Sequence, residues 1–386
     1  MVYFDNNATT PLDPLAEAVW LETSREFWHN PSSPYRAAAK AHQCLEDARQ
    51  RLAAILGCRP EEVVFNSGAT EGNNSLFQYF HRYDPQGRVV ASAIEHPCVL
   101  DAAREYFAEL CHLIPVNGQG VIELAALDEL LQGGGVGLVS CMAANNETGV
   151  IQPWPEVIQR CRKAGVPCHL DAAQWLGKRS VSGLGEADFI TGCAHKFGGP
   201  KGVGFLKLTE DYNGLQGLLG GGQEYGHRAG TENLPGILAM VAILEKREHE
   251  AKNMAATWLE GREAFEKHLK EAIPDVRILG EKAERLENTC ALIMPGFAGK
   301  RWVAQLDRLG YAISTGSACA TGKSGSSHVI KALGLDDEAA KHSLRVSAGW
   351  ATQPADWSGL ANAFVEAWQR LRQDEQQPAR STVISL

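Results

Sequence analysis

The 386-residue chain has no run of lysines and arginines and no basic excess, since 37 basic residues face 46 acidic ones for a net charge of −9. It lacks the basic stripe that suits a phosphate backbone, which disfavours direct nucleic-acid binding. Long apolar runs are missing too. The longest aliphatic stretch, Ile237 to Leu244, is far shorter than a membrane span, so no membrane association is expected. The ten cysteines, at 44, 58, 98, 111, 141, 161, 168, 193, 290 and 319, form no CxxC pair and no Cys/His cluster of the zinc type. No metal is expected, and Cys141 and Cys290, inside apolar runs, read as small buried hydrophobes. There is no internal repeat. A charge at Asp5 stands where a signal peptide would have its apolar core, which makes a cytoplasmic address the expectation. What is present, 44% hydrophobic and 22% charged residues, is ordinary globular usage.

Helical and strand-like periodicities alternate along most of the chain, which predicts an α/β layer architecture with a mainly parallel sheet. Strands are expected at Glu62–Asn66, Arg88–Ala93, Val136–Ala144, Val166–Leu170, Ala187–Thr191 and Val203–Leu208. An amphipathic helix should run from Tyr35 to Leu56 and stop at Gly57. From Gly236 to Ile273 the pattern is helical without an internal proline, long enough to connect two lobes. Beyond it, strands at Val276–Leu279, Thr289–Met294 and Tyr311–Ser314 and helices at Trp302–Leu309, Ser327–Leu333 and Asp356–Gln373 predict a smaller α+β C-terminal domain. The polar end, Asp374 to Leu386, reads as a tail.

Three segments carry chemistry. Lys196 sits in Ala194-His195-Lys196-Phe197-Gly198-Gly199, where it ends an apolar strand and enters a glycine-rich turn. Burial there would favour the neutral amine that a Schiff base requires. Asp171 ends the strand His169-Leu170-Asp171, where open α/β sheets place ligands. It reads either as a helix N-cap or as the counter-charge to a pyridinium nitrogen. Asn66-Ser67-Gly68-Ala69-Thr70-Glu71-Gly72-Asn73 is a strand–loop–helix junction whose amides suit a phosphate.

The ordered set SGAT at 67–70, EHP at 95–97, NNETG at 145–149, DAAQ at 171–174, HKFGGPKG at 195–202, GGGQE at 220–224, RAGT at 228–231, GSAC at 316–319 and LRVS at 344–347 resembles the class V pyridoxal-phosphate enzymes. More narrowly, it is similar to the cysteine desulfurases of the NifS/IscS type, from Tyr3 to about Ser347. The resemblance implies a fold-type I transferase, with a three-layer large domain at 14–255 and a small domain made of 1–13 and 256–386. The implied reaction converts L-cysteine to L-alanine and leaves the sulfur as a persulfide on Cys319, for Fe–S cluster assembly or another thio-modification.

The same resemblance implies residue roles. Lys196 would hold the pyridoxal phosphate, Asp171 its ring nitrogen and Gln174 its ring hydroxyl, with His96 stacked on the ring and moving protons. The phosphate would rest on Ala69 and Thr70, near His195 and Cys193, and Thr231 of a neighbouring subunit would complete it in a homodimer. Arg345 would bind the substrate carboxylate, helped by Asn146 and Asn7. Cys193 departs from the family's usual serine. A thiol is a weaker donor, so modestly weaker cofactor binding is expected, offset by Thr191 or ordered water. The stretch from Cys319 to Ser327 is long, as in the IscS-like rather than the SufS-like branch, and could carry sulfur to an acceptor protein. Three rivals stand beside this reading: a selenocysteine lyase, another class V aminotransferase or epimerase, and a non-catalytic sulfur-relay scaffold. Cys319 speaks against the transferases, and the full set Lys196, Asp171, His96 and Arg345 against the scaffold.

Overall fold

A computed structural model describes residues 1–316 and 327–376. Seven strands form the main sheet, in the order Val63–Asn66, Gly204–Leu208, Phe189–Cys193, Cys168–Asp171, Val136–Met142, Arg88–Ser92 and Cys111–Ile114. All neighbours are parallel except those of Gly204–Leu208, which runs against both. Side chains alternate between two buried layers, as a strand's two-residue period requires. Val63, Phe65, Val90, Val139 and Ile190 face the helices Arg36–Leu56 and Trp154–Ala164. Val64, Val89, Leu138 and Phe189 face Ala69–Tyr83 and Pro97–Phe107.

Six of the seven strands fall within about two residues of their expected limits. The seventh, Cys111–Ile114, was not expected: it is a short edge strand directly after a helix, and the apolar pattern runs from one into the other. The helix Arg36–Leu56 stops where expected, with Gly57 in the left-handed region at φ 71°.

The long helix runs from Leu234 to Ala272, 39 residues, or roughly 58 Å at 1.5 Å per residue. Its first turns, Leu234 to Leu244, pack into the main core. Trp258, Phe265 and Leu269 pack into a second core with Phe4, Trp302, Leu344 and Phe364. That core lies on a four-stranded antiparallel sheet ordered Ser314–Thr315, Ser343–Ser347, Thr289–Ile293 and Arg277–Ile278. The single strand expected at Tyr311–Ser314 is two strands: Tyr311–Ala312 pairs in parallel with Val2–Tyr3, and Ser314–Thr315 joins the four-stranded sheet. Register sets Arg345 between Ala291 and Ser314, and a bridge from Asp5 to Ser347 brings in the N-terminal segment. No helix among the described residues is long and apolar enough to cross a membrane.

Candidate active site

A cavity of about 460 Å³ opens at the carboxyl ends of the parallel strands, where Asp171, Cys193 and Met142 end or nearly end their strands. Its walls include nine of the expected residues: Ala69, Thr70, His96, Asn146, Asp171, Gln174, Cys193, His195 and Lys196. Thr231 is exposed and lines a smaller adjoining pocket that shares Ser67 and Gly202 with the cavity. Cys319 lies outside the described residues.

The half-buried Lys196 amine donates to the backbone oxygens of Asn7 at 2.6 Å and Ala8 at 2.9 Å. Asp171 is 5% exposed; its carboxylate accepts from the Ala173 amide at 2.9 Å and from Asn73 Nδ2 at 3.1 Å. His96 N-caps the helix Pro97–Phe107, and its Nδ1 accepts from the Cys98 amide at 3.2 Å. The proton of the neutral ring therefore sits on Nε2. Burial lowers the His96 pKa against the opposing pull of Asp171, with Lys196 also lowering it. His195 touches Thr9 Oγ1 at 3.2 Å and is lowered to about 4 by burial and by the charges of Lys196 and Lys201, so it is neutral at physiological pH. Burial raises the Cys193 thiol to about 11 even though Lys196 opposes it, which leaves a protonated, inert sulfur.

Gln174 donates to the Asn7 oxygen at 3.0 Å and accepts from Lys178 at 2.5 Å. Asn7 is a buried junction: its side chain binds Thr289 Oγ1, the Asn146 oxygen, Lys178 and Asn288. Arg345, 2% exposed, pairs with Asp5 at 2.6 Å and donates to the Asn146 oxygen at 3.2 Å. Its buried Nε finds no hydrogen-bond acceptor among the described residues. Neither Asn7 nor Arg345 lines the cavity itself; Arg345 reaches it through Asn146, and Asn7 through Asn146, Gln174 and Lys196.

Sequence reading passed over several residues. Thr9, Ser67 and Lys201 line the cavity, and Lys178 is wholly buried, its pKa driven well below the usual lysine value by burial and by Lys196 and Arg345. Glu95, also wholly buried, is raised well above the usual carboxyl value by burial and by Asp171. Thr191, offered as a substitute phosphate ligand, is committed elsewhere, because its hydroxyl donates to Asn73 at 2.7 Å and meets His169 at 3.1 Å. The motifs flank these positions, but only the folded sheet order brings them together.

The residues present fit pyridoxal phosphate. The helix Ala69–Tyr83 starts at Gly68 with no side-chain cap, which turns its N-terminal dipole toward an anion, with the Ala69 amide also within reach of the Cys193 sulfur. A buried carboxylate, a lysine amine and an imidazole line the same cavity, the set needed by a pyridine ring with an aldehyde.

Known proteins agree with this geometry. The aminotransferase class-V family matches residues 2–358. A cysteine desulfurase of Trichormus azollae is 33% identical over 378 residues, 96% of this chain and 94% of that protein. A solved NifS-like protein superposes with a TM-score of 0.87 at 31% identity, covering 96% of this chain and 99% of its own. The structure of SspA in complex with cysteine gives 0.77 at 28% identity, covering 90% and 98%. A cavity built this way and a match over nearly the whole length have one explanation: the chain belongs to the aminotransferase class-V family, whose cofactor is pyridoxal phosphate.

Proposed function

We propose that the protein is a cysteine desulfurase, converting L-cysteine to L-alanine and transferring the sulfur to Cys319. The observation that carries this reading is a single cavity uniting Lys196, Asp171, His96 and an uncapped helix N-terminus. The relatives named as cysteine desulfurases and the SspA complex with cysteine support it. Lys196 and Asp171 would hold the cofactor, with the Ala69 and Thr70 amides on its phosphate. Bound pyridoxal phosphate supplies an electron sink for the pair left when a substrate's α-proton is removed. Arg345 offers a planar guanidinium, the donor geometry a substrate carboxylate takes bidentately once Asp5 yields its place. Lys196 moves the α-proton, and His96, neutral with its proton on Nε2, orients the substrate sulfur by a hydrogen bond from that N–H. The Cys319 thiolate attacks the substrate sulfur and forms an S–S bond as the C–S bond breaks, and the pair from that bond stays on the β-carbon, which takes up a proton to become the methyl group of alanine.

The proposal includes a homodimer, with Thr231 of the second copy completing the phosphate site, and an acceptor protein that removes the sulfur, for Fe–S assembly or thio-modification. It also divides the chain into 14–255 and 1–13 with 256–386, the boundary falling inside the long helix.

The test is alanine and sulfide release from L-cysteine with dithiothreitol by the pyridoxal-phosphate-loaded protein, beside Cys319→Ser. Equal amounts of the two products from the wild type, lost in a variant that keeps its yellow colour, are expected. Undiminished release by Cys319→Ser would reject Cys319 as the sulfur carrier. No release by the wild type would redirect the assay to selenocysteine and to transamination.

A further inference from the structure

Four polar side chains without solvent exposure, Ser140, His169, Thr191 and Asn73, line up behind Asp171. Ser140 Oγ lies 2.9 Å from His169 Nδ1, His169 Nε2 is 3.1 Å from Thr191 Oγ1, Thr191 Oγ1 is 2.7 Å from Asn73 Oδ1, and Asn73 Nδ2 is 3.1 Å from Asp171 Oδ2. One assignment of hydrogens satisfies every contact. A carboxylate accepts only, so Asn73 turns its NH₂ toward Asp171 and its oxygen toward Thr191. That oxygen takes the Thr191 proton. His169 must then donate from Nε2, and its Nδ1 accepts from Ser140. Burial keeps this imidazole neutral, its pKa lowered to about 4. All four bonds point toward Asp171, and each polarises the next.

The Asn73 amide has a second hydrogen. Its Nδ2 lies 3.1 Å from Cys98 Sγ, which lies 3.0 Å from His96 Nδ1. Because that nitrogen already accepts from the Cys98 backbone, the thiol donates to it as well. Burial, with Asp171 adding to it, raises Cys98 to about 12, so the S–H stays in place. Gly72 permits the arrangement: a Cβ there would stand 2.9 Å from Thr191 Cγ2 and 3.0 Å from Asn66 Nδ2.

We propose that Asn73 is a positioning residue, oriented by the Ser140–His169–Thr191 chain, whose amide holds the Asp171 carboxylate with one hydrogen and, through the Cys98 thiol, the His96 ring with the other. Its meaning for catalysis rests on the function proposed above.

Thr191→Val keeps the branched packing against Gly72 and removes the hydroxyl, whereas Thr191→Ser keeps a hydroxyl. Pyridoxal phosphate affinity and the pH dependence of its visible absorption are measured for each, and the histidine ring nitrogens are read by nitrogen-15 NMR in the cofactor-free proteins. Thr191→Val is expected to bind the cofactor about fivefold more weakly, the scale of one hydrogen bond, to move the colour-change midpoint and to lose the His169 Nε2–H signature. Thr191→Ser should retain all three. Wild-type affinity and midpoint in a folded Thr191→Val overturn the proposal. If the wild type takes up no cofactor, the proposed function fails by itself; the NMR arm still decides the chain, and an unchanged His169 signature in Thr191→Val rejects it. Should Thr191→Val fail to fold, Ser140→Ala carries the same measurements at the far end, with unchanged values again rejecting the chain. Cys98→Ala tests the second branch: the His96 ring-nitrogen shifts should move, and identity with wild type removes that branch.

Discussion

Asp5 occupies the Arg345 guanidinium to which the proposed function assigns the substrate carboxylate. The Arg345–Asp5 contact, 2.6 Å with Arg345 almost fully buried, must be loosened or shared when an amino acid binds. Asp5→Asn removes the competing charge and keeps the shape, so KM for L-cysteine should fall about fivefold with kcat little changed, the scale of a partly exposed ion pair. Steady-state kinetics check this, and a raised KM would mean that Asp5 instead aims the arginine. Glu147 makes a prediction about pH. Burial raises its pKa to about 7, against the Ser327 hydroxyl at 2.6 Å and the Arg345 charge, both of which favour the carboxylate. A carboxyl raised on folding contributes its stability in full below the unfolded value, and loses it as pH rises through the folded one. The melting temperature should therefore fall between about pH 5 and 8, and Glu147→Gln should flatten the profile over that window. Thermal melts across the range decide it.

Among the elements, the helix Ala69–Tyr83 packs closely against the main sheet. Its packing distance from Phe189–Cys193 is set by Gly72, whose hypothetical Cβ lies inside contact distance of Thr191 and Asn66. Gly72→Ala should cost about 1–3 kcal/mol by overpacking and weaken cofactor binding as well, both measurable by denaturation and absorbance titration. Regular elements were legible because burial on both sheet faces writes near-continuous apolar runs, as in Phe189–Cys193, and because Gly57 ends its helix. The edge strand Cys111–Ile114 was not, since it is four residues long, partly exposed, and continues the apolar pattern of the helix before it. The site divides in the same way. Lys196, Asp171, His96 and the 67–70 turn stand in motifs with local signatures. Asn73 and Thr191 meet across 118 positions, and Lys178 meets Asn7 across 171, through a strand order that no local pattern encodes. Cys98 stands out only through its contacts with Asn73 and His96 in the folded chain.

At the scale of the whole molecule, one helix threads two cores, and the surface bears an apolar group near Thr231. Leu218 is 49% exposed, Leu219 75% and Tyr225 53%, all beside the glycines at 220–222. Such residues suit an interface with a second copy. Sedimentation should give a mass of about twice 41.9 kDa. Leu219→Asp should yield monomers that hold pyridoxal phosphate less tightly, and a monomeric wild type with full cofactor affinity would reject the shared phosphate site.

The N-terminal segment pairs with the far end of the chain: Val2–Tyr3 with Tyr311–Ala312, and Asp5 with Arg345 and Ser347. During synthesis, at roughly 5–20 residues per second, those first residues wait on the order of tens of seconds for their partners to leave the ribosome. The main sheet ends at Leu208 and can assemble meanwhile, with its cavity and Lys196 already made. The arginine end is completed last, so on the proposed function a nascent chain has no competent site for an amino acid until almost all of it has been made.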